Sequence, residues 1–558
     1  MRSTPRLLSL ILIIILTSSM ALLIMVAWYL PNRPVDPPGG NAGEKFSSLS
    51  FAAYRPWESP LTKRFPTRAE ADADMALVAH EANAVRSYAA NEGDYDTAEL
   101  AAAHGVKLWQ GIWLSSNRAD NAREIAHGIA LAHQYPDTIT RLIVGNEVLL
   151  RRDLPPAELI ADIEQVRHAV KQPVAYADVW EFWLQFPEVA PHVDVMLIHL
   201  LPYWEDVPTG IDGAVAHVGD VYHRLKTAFP GKQIAIGETG WPSAGRERAD
   251  AVPSRVNEVR FLREFLALSH REHFDYNFIE AFDQVWKYQS EGIVGASWGI
   301  FSGDRRVKIP LAGAVENDPD WRTHGAISII LGLALVAFGF WRARALSIRR
   351  CAAICVSGMA FGGALGFAGA MILASVFDGH LLLAGVVNFT GQACLAALAM
   401  LRLNGCVVGM PDRTGAETTQ AVRAFLTRLK RPALPGLFED LCFLFAWTAA
   451  VMQLLLLFDP RYREFPLSTF AVPLLVVAGR FVGRDLPVGG GGREEFLVAT
   501  ALVVGAVGSA VQEGILNGQS LLWNACALAL SAPILFGFRG AAARIIQESA
   551  MTQGSGSF

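Results

Sequence analysis

The chain has 558 residues, 52% of them hydrophobic, and a formal net charge of −5. It is too long for one ordinary domain and too apolar for an average soluble protein, and without a basic excess it does not read as a nucleic-acid binder. The apolar excess is concentrated in particular segments rather than spread.

The first segment is Leu8 to Leu30, an apolar run behind Arg2 and Arg6. At about 1.5 Å per helical residue it is long enough to cross a bilayer. No small-x-small site precedes the polar "PNRPVDPPGGN", so residues 1–30 read as an uncleaved anchor, with a cleaved signal peptide as the rival. A linker at 31–45 leads into a mixed, polar composition from Phe46 to Pro310, a domain large enough to bury its own core.

Within 46–310, short β-branched or apolar runs alternate with helical patterns. The expected strands are 49–54, 84–89, 106–114, 141–147, 173–180, 193–204, 233–238 and 276–283. Helix-like stretches lie between them at Thr67 to Glu81, Ala119 to Gln134, Pro155 to Val170, Gly213 to Ala228 and Pro253 to His273. Eight such units in one domain predict an α/β fold, a (β/α)₈ TIM barrel whose chemistry sits at the C-terminal strand ends. A doubly wound open sheet is the alternative, but the first strand ends in "YRPWESP" rather than a Gly-rich phosphate turn.

After a second linker at 311–323, residues 324–540 form a series of apolar runs, and 541–558 a tail. Spans are expected near 325–341, 352–377, 381–401, 437–458, 467–483, 495–515 and 518–538, about seven after the anchor. Cations mark the cytoplasmic side. With the N-terminus inside, eight crossings place Arg342 to Arg350, the segment Arg402 to Arg431, the Arg484 and Arg493 loop and the Arg539 and Arg544 tail all inside. Arg461 and Arg463 in "DPRYREFP" are a mild exception. This predicts a multi-pass protein with both termini cytoplasmic and the mixed domain outside, periplasmic in a Gram-negative cell. Asn388, Gln392 and Gln453 within the spans predict interhelical hydrogen bonds. The "GGGG" at Gly489 to Gly492 lacks a following Lys-Ser/Thr and reads as a linker. All six cysteines lie in the membrane half, so the mixed domain has no disulfide. It also lacks Cys/His spacing for a metal, and no metal or cofactor is expected.

Two expected strands finish on Glu: Glu147 closes "IVGNE" and Glu238 closes "IAIGE". An isolated carboxylate within a buried parallel strand is costly, so both belong at an exposed rim, and strands four and seven converge across one barrel mouth. Paired acids facing one cleft suit glycosidic bond cleavage. Each alone would fit a helix cap or a salt bridge equally well.

"VGNEVLLR" and "IGETGWPS" resemble the two signatures of glycoside hydrolase family 17, and the resemblance covers Ser50 to about Lys308. It implies Glu147 as acid/base, Glu238 as nucleophile and Asn146 on the sugar 2-hydroxyl. "IEAFDQVWK" and "EGIVGASWGIF" are similar to the family's strand-eight region, which suggests Lys287 and Glu291 as supporting charges. The sequence departs from the family at Gln284, where an acid is usual, and at His199, where "HLLPYW" puts a histidine for an amide while keeping Tyr203. Tyr54, Tyr88, Tyr203, Trp241 and Trp298, with His199, complete the expected substrate-binding set, Tyr203 and Trp241 first because each belongs to a motif. Trp113, Trp180 and Trp204 also lie at strand ends.

The resemblance implies a retaining enzyme with carboxyl groups about 5 to 5.5 Å apart. Mutual repulsion is expected to keep Glu147 protonated while Glu238 is ionised. The bacterial membrane-anchored branch suggests a β-1,3-glucan glucanosyltransferase that remodels, branches through β-1,6 links or cyclises periplasmic β-glucan. The expected location is the bacterial inner membrane. Expected partners are β-1,3-glucan oligosaccharide or polysaccharide, the lipid bilayer and a membrane β-glucan synthase, with no nucleic acid. An endo- or exo-β-1,3-glucanase is the near alternative, and a non-catalytic glucan-binding part of a synthase or export complex the more distant one.

Overall fold

A computed structural model of the chain describes residues 4–41, 43–341, 346–406, 413–428, 434–460, 462–483 and 492–554. The chain divides into two compact units, Pro34–Asn317 and the combination of Met1–Arg33 with Asp318–Phe558.

The first unit is a closed barrel of eight strands in sequence order. The strands are β1 (Phe46–Ser50), β2 (Ala82–Arg86), β3 (Lys107–Ile112), β4 (Ile139–Asn146), β5 (Val174–Val179), β6 (Val195–His199), β7 (Gln233–Thr239) and β8 (Tyr276–Phe278). Every neighbouring pair is parallel, including the closure of β1 on β8 at Leu49 and Phe278. All eight expected strands exist. β8 is shorter than expected because the ladder to β7 shifts register and the chain leaves the sheet after Phe278. The open-sheet alternative is excluded by the closure.

Side-chain alternation explains what fills the barrel. Ala84, Trp109, Ile143, Ala175, Ala177, Val195, Leu197 and Ala235 form a cluster of their own, separate from the larger core between strands and helices. This inner set uses several small residues, as the narrow lumen demands. With a period of two, Ala84 predicts Arg86 and Tyr88 on the same inward row, and Leu197 predicts His199. The strands therefore carry their chemistry at the last inward positions before the loops.

The helices begin on local signals. Thr67 closes a capping box with Glu70 ahead of Arg68–Glu81, and Asn117 caps Arg118–Gln134. Of the segments read as linkers, 34–45 and 311–317 are drawn into this unit. Val35 and Val315 pair backbone to backbone, and buried Arg263 donates to Asp36, Pro37, Pro310 and Gly313.

Among the described residues of the second unit, seven helices are long and apolar enough to cross a membrane: Leu10–Asn32, Trp321–Phe340, Ile348–Ser375, Gly379–Leu403, Gly436–Phe458, Arg493–Glu513 and Gly518–Phe536. The expected span at 467–483 is a shorter apolar helix, Ser468–Gly483. At about 1.5 Å per residue it falls short of the ~30 Å hydrocarbon layer. The start of that helix is held by the predicted span polars: Asn388 donates to the Thr469 carbonyl, Gln392 donates to the Ser468 carbonyl, and Gln392 accepts from the Val472 amide. Gln453 is buried beside Asn524. Parts of the cation-rich loops, Arg461 and most of the Gly489 to Gly492 run lie outside the described residues.

Candidate active site

The site forms where β2, β4, β6 and β7 end. β4 carries an irregularity in its pairing with β5 between Ile143 and Asn146, and Gly145 has φ of 87°. Glu147 follows in the left-handed region with φ of 52°, a conformation disfavoured for a residue with a side chain. The cost is held by the amide of Glu147 donating to the Ala177 carbonyl (2.8 Å) and by Arg151, whose amide donates to the Glu147 carbonyl (2.9 Å). The bend turns the carboxylate into the mouth.

Glu238 arrives from β7 and is buried, its Oε1 accepting from the Tyr88 hydroxyl (2.8 Å) and from Arg86 (3.2 Å). A chain of small polar groups sets Tyr88: Ser50 Oγ lies 2.8 Å from its hydroxyl, and Asn277 donates to Ser50 (2.7 Å). Burial, followed by the charge of Glu238, holds the Tyr88 phenol well above its usual range, so it stays a donor.

Arg86, 1% exposed, ties the site together. Its guanidinium donates to Asn146 Oδ1 (2.5 Å), to the Gly237 carbonyl (2.7 Å) and to Glu238, and sits over the Tyr88 ring at 4.7 Å. With Asn146 Oδ1 held by a donor, the amide NH₂ is the end left for a ligand hydroxyl. Arg86 was not among the expected site residues. Its inward row with Ala84 and Tyr88 was the available signal.

His199 lies between the two carboxylates. Nδ1 is 2.9 Å from Glu147 Oε1, and Nε2 is 3.6 Å from Glu238 Oε1. Glycine at 237 leaves room for the ring. A Cβ there would stand 3.0 Å from His199 Cδ2 and 3.2 Å from Nε2. Ligand atoms of Glu147, His199 and Glu238 lie within 4.8 Å of one another, as in a metal-binding trio. Arg86 brings a permanent positive charge to the same place, 3.2 Å from Glu238.

Burial raises the Glu147 carboxyl, but the hydrogen bond and charge of His199, with the charges of Arg151 and Arg86, outweigh it and leave the group below its ordinary value. This corrects the expectation that repulsion keeps Glu147 protonated: cations surround it, and they dominate.

On the β8 side, Lys287 pairs with buried Glu280 at 3.0 Å. Burial lowers the ammonium, yet Glu280 and Glu291 hold it above its usual value, and the charge of Glu238 adds to them. Gln284 is committed to structure, donating to the carbonyls of Ala52 (2.8 Å) and Phe282 (3.1 Å). A carboxylate could make neither bond, and Glu280 provides the acid instead.

The expected aromatics separate into two groups. Tyr54 is half-buried between Phe65 and Trp286, and Tyr88 is in the site. Tyr203 and Trp241, expected first among sugar-facing rings, are instead core residues at 1% and 0% exposure. The Tyr203 hydroxyl donates to the Arg246 carbonyl, and the Trp241 indole donates to the Val252 carbonyl while stacking on Phe261 behind β7. Trp298 is also buried, stacked on half-buried Trp204 with ring centroids 6.4 Å apart. Trp113 keeps an open face, 37% exposed, with Arg151 over the ring at 4.3 Å.

Residues 52–299 match the family described as "BtgE/BtgC glycoside hydrolase domain". Among similar proteins, the glucan 1,3-beta-glucosidase of Schizosaccharomyces pombe is 28% identical over 255 residues, covering 43% of this chain and 79% of that protein. Candida albicans "Glucan 1,3-beta-glucosidase BGL2" is 25% identical over 264 residues, 42% of this chain and 84% of that protein. A family 17 beta-1,3-glucanosyltransferase from Rhizomucor miehei, known as a crystal structure, is 27% identical; the match covers 48% of this chain and 98% of that one, with a TM-score of 0.41.

Proposed function

Residues 52–299 belong to the BtgE/BtgC glycoside hydrolase family, and from that premise we propose that this chain is a membrane-anchored, retaining β-1,3-glucan glucanosyltransferase. The observation that carries the mechanism is the closeness of the two acids. Oxygens of Glu147 and Glu238 lie within 4.8 Å of each other. Retaining glycosidases hold their carboxyl groups at about 5 to 5.5 Å, whereas inverting ones need room for water at about 6.5 to 9.5 Å.

In this reading Glu238 attacks the anomeric carbon while the glycosidic bond breaks and Glu147 passes a proton to the departing oxygen. An acceptor hydroxyl then gives its proton to Glu147, forms the new bond to the anomeric carbon and releases Glu238. Tyr88 and Arg86 orient the Glu238 carboxylate, and Asn146 offers its amide to the 2-hydroxyl. Names of the fungal relatives support the substrate class.

Transfer is favoured over hydrolysis by the company the barrel keeps. A degradative enzyme needs no set of seven membrane-crossing helices. An enzyme that receives glucan emerging beside a membrane synthase, and branches or cyclises it, would gain from the anchor. The cation-bearing loops support a barrel on the outer face of a bacterial inner membrane, with Ser468–Gly483 completing an eighth, shorter crossing.

Product analysis decides between the acceptors. Full-length protein in detergent, given laminaripentaose, is expected to yield products longer than the donor or with new linkages. Reducing ends rising in step with bond cleavage, with no longer, branched or cyclic product, would show a glucanase instead.

A further inference from the structure

The imidazole between the two carboxylates has a function that the pairing of acids alone does not require. Nε2 of His199 faces Arg86 Nη1 at 3.4 Å and Glu238 Oε1 at 3.6 Å. Nε2 thus faces both a donor and an acceptor, and its state does not decide the other nitrogen. Nδ1 faces Glu147 Oε1 at 2.9 Å, and because an ionised carboxylate only accepts, Nδ1 carries the proton and donates it. The ring is 2% exposed.

We propose that His199 is a positioning residue that divides the Glu147 carboxyl by function: its N–H holds Oε1, leaves Oε2 as the atom that gives and takes the proton, and favours the carboxylate form. The consequence is a bias between half-reactions. Glu147 must be protonated when the glycosidic bond breaks and ionised when it receives the proton of the acceptor hydroxyl. A donor on Oε1 favours the second state, the one needed for transfer to an acceptor. This rests on the reading of Glu147 as the acid/base.

Other charged or titratable groups converge here too, and the effect of His199 must be read against them. Arg86 and Tyr88 approach from β2, Asn146 and Arg151 flank Glu147 on β4 and its loop, Asp178 ends β5, and Glu238 ends β7. Lys287 and Glu280 stand on the β8 side. None of those described hydrogen bonds reaches Glu147 Oε1 apart from His199.

The test uses the full-length chain in detergent with two donors. Laminaripentaose needs acid help to leave, whereas 2,4-dinitrophenyl β-laminaribioside does not. Replacing His199→Phe removes the donor, and H199N restores the amide usual at this position and guards against a folding defect. In H199F the alkaline limb of kcat/KM for laminaripentaose should move up by about one pH unit, as expected for a carboxylate that loses a hydrogen bond. With the activated donor, where the second step limits, the acidic limb of kcat should move up in parallel, and H199N should show smaller shifts of the same sign. If kcat falls in both variants while every limb stays in place, His199 only fills space and the proposal is wrong. A wild-type protein that turns over neither donor would instead overturn the enzymatic reading itself, and this proposal with it.

Discussion

Both units bury charge, and they treat it differently. In the helical unit the buried carboxylates Glu439 and Asp440 stand side by side on one helix, and each takes its own arginine: Arg402 with Glu439 at 3.0 Å, and Arg413 with Asp440 at 2.5 Å, to which Thr418 also donates. Its mid-span amides are taken up by backbone at the start of a short helix. In the barrel, Arg86, Glu238, His199 and Glu147 come from four different strands and converge on one mouth. Burial of charge is common to both. What distinguishes a site is that several groups converge on one point and leave donor and acceptor capacity facing a cleft.

The strongest test of that contrast is Glu238→Gln, which keeps shape and removes the charge. Turnover should fall by about 10⁴-fold or more, judged from the loss of other covalent nucleophiles. Retained glucan modification would show that the convergent cluster is not the reacting one.

Arg86→Leu should follow in size. Removing one partner of a buried pair costs about 3 to 5 kcal/mol because the other charge is left uncompensated. Denaturant unfolding of the barrel should show that loss, and the R86L/E238Q double variant should lose less than the sum of the singles, since the two residues touch. Strict additivity would mean that the 3.2 Å contact carries no energy.

A smaller effect belongs to Asp178, which accepts from the Tyr176 hydroxyl and the Val179 amide. Burial raises its carboxyl to about 6, against the hydrogen bonds from Tyr176 and Val179. The folded state therefore holds a proton that the unfolded chain releases near pH 3.9. Stability from this group is complete below about 3.9 and is lost as pH rises through about 6. Thermal melts of Asp178→Asn should show a flatter profile across that window than wild type. Least of all, Gln392→Leu should cost about 0.6 kcal/mol in the helical unit, the usual scale for a hydrogen bond between spans. It should leave kcat on laminaripentaose unchanged; a large loss of activity would join the two regions that this comparison separates.

Much of this was legible in the sequence. Glu147, Glu238 and Asn146 stand at strand ends within recognisable motifs, and the eight units announced a barrel. What escaped the sequence depended on three dimensions. Arg86 reads as an ordinary polar residue in a strand until closure puts the Ala84 row inside. Trp241 shares a motif with Glu238, but the turn after β7 sends its ring behind the sheet toward Phe261. Membership in a motif fixed its identity without fixing the side of the sheet it serves. His199 was noticed as a departure from the family, and only the geometry showed that it touches both acids.

Gly237 leaves room for that departure. The methyl group of an alanine there would meet the His199 ring at two atoms and Leu197 Cβ at 3.1 Å. A methyl at 237 would press on the imidazole and on Leu197 together, and each would have to give by a few tenths of an ångström. The two positions are therefore coupled, and because Leu197 stays in place, G237A should be better tolerated in an H199N background than alone without being fully rescued.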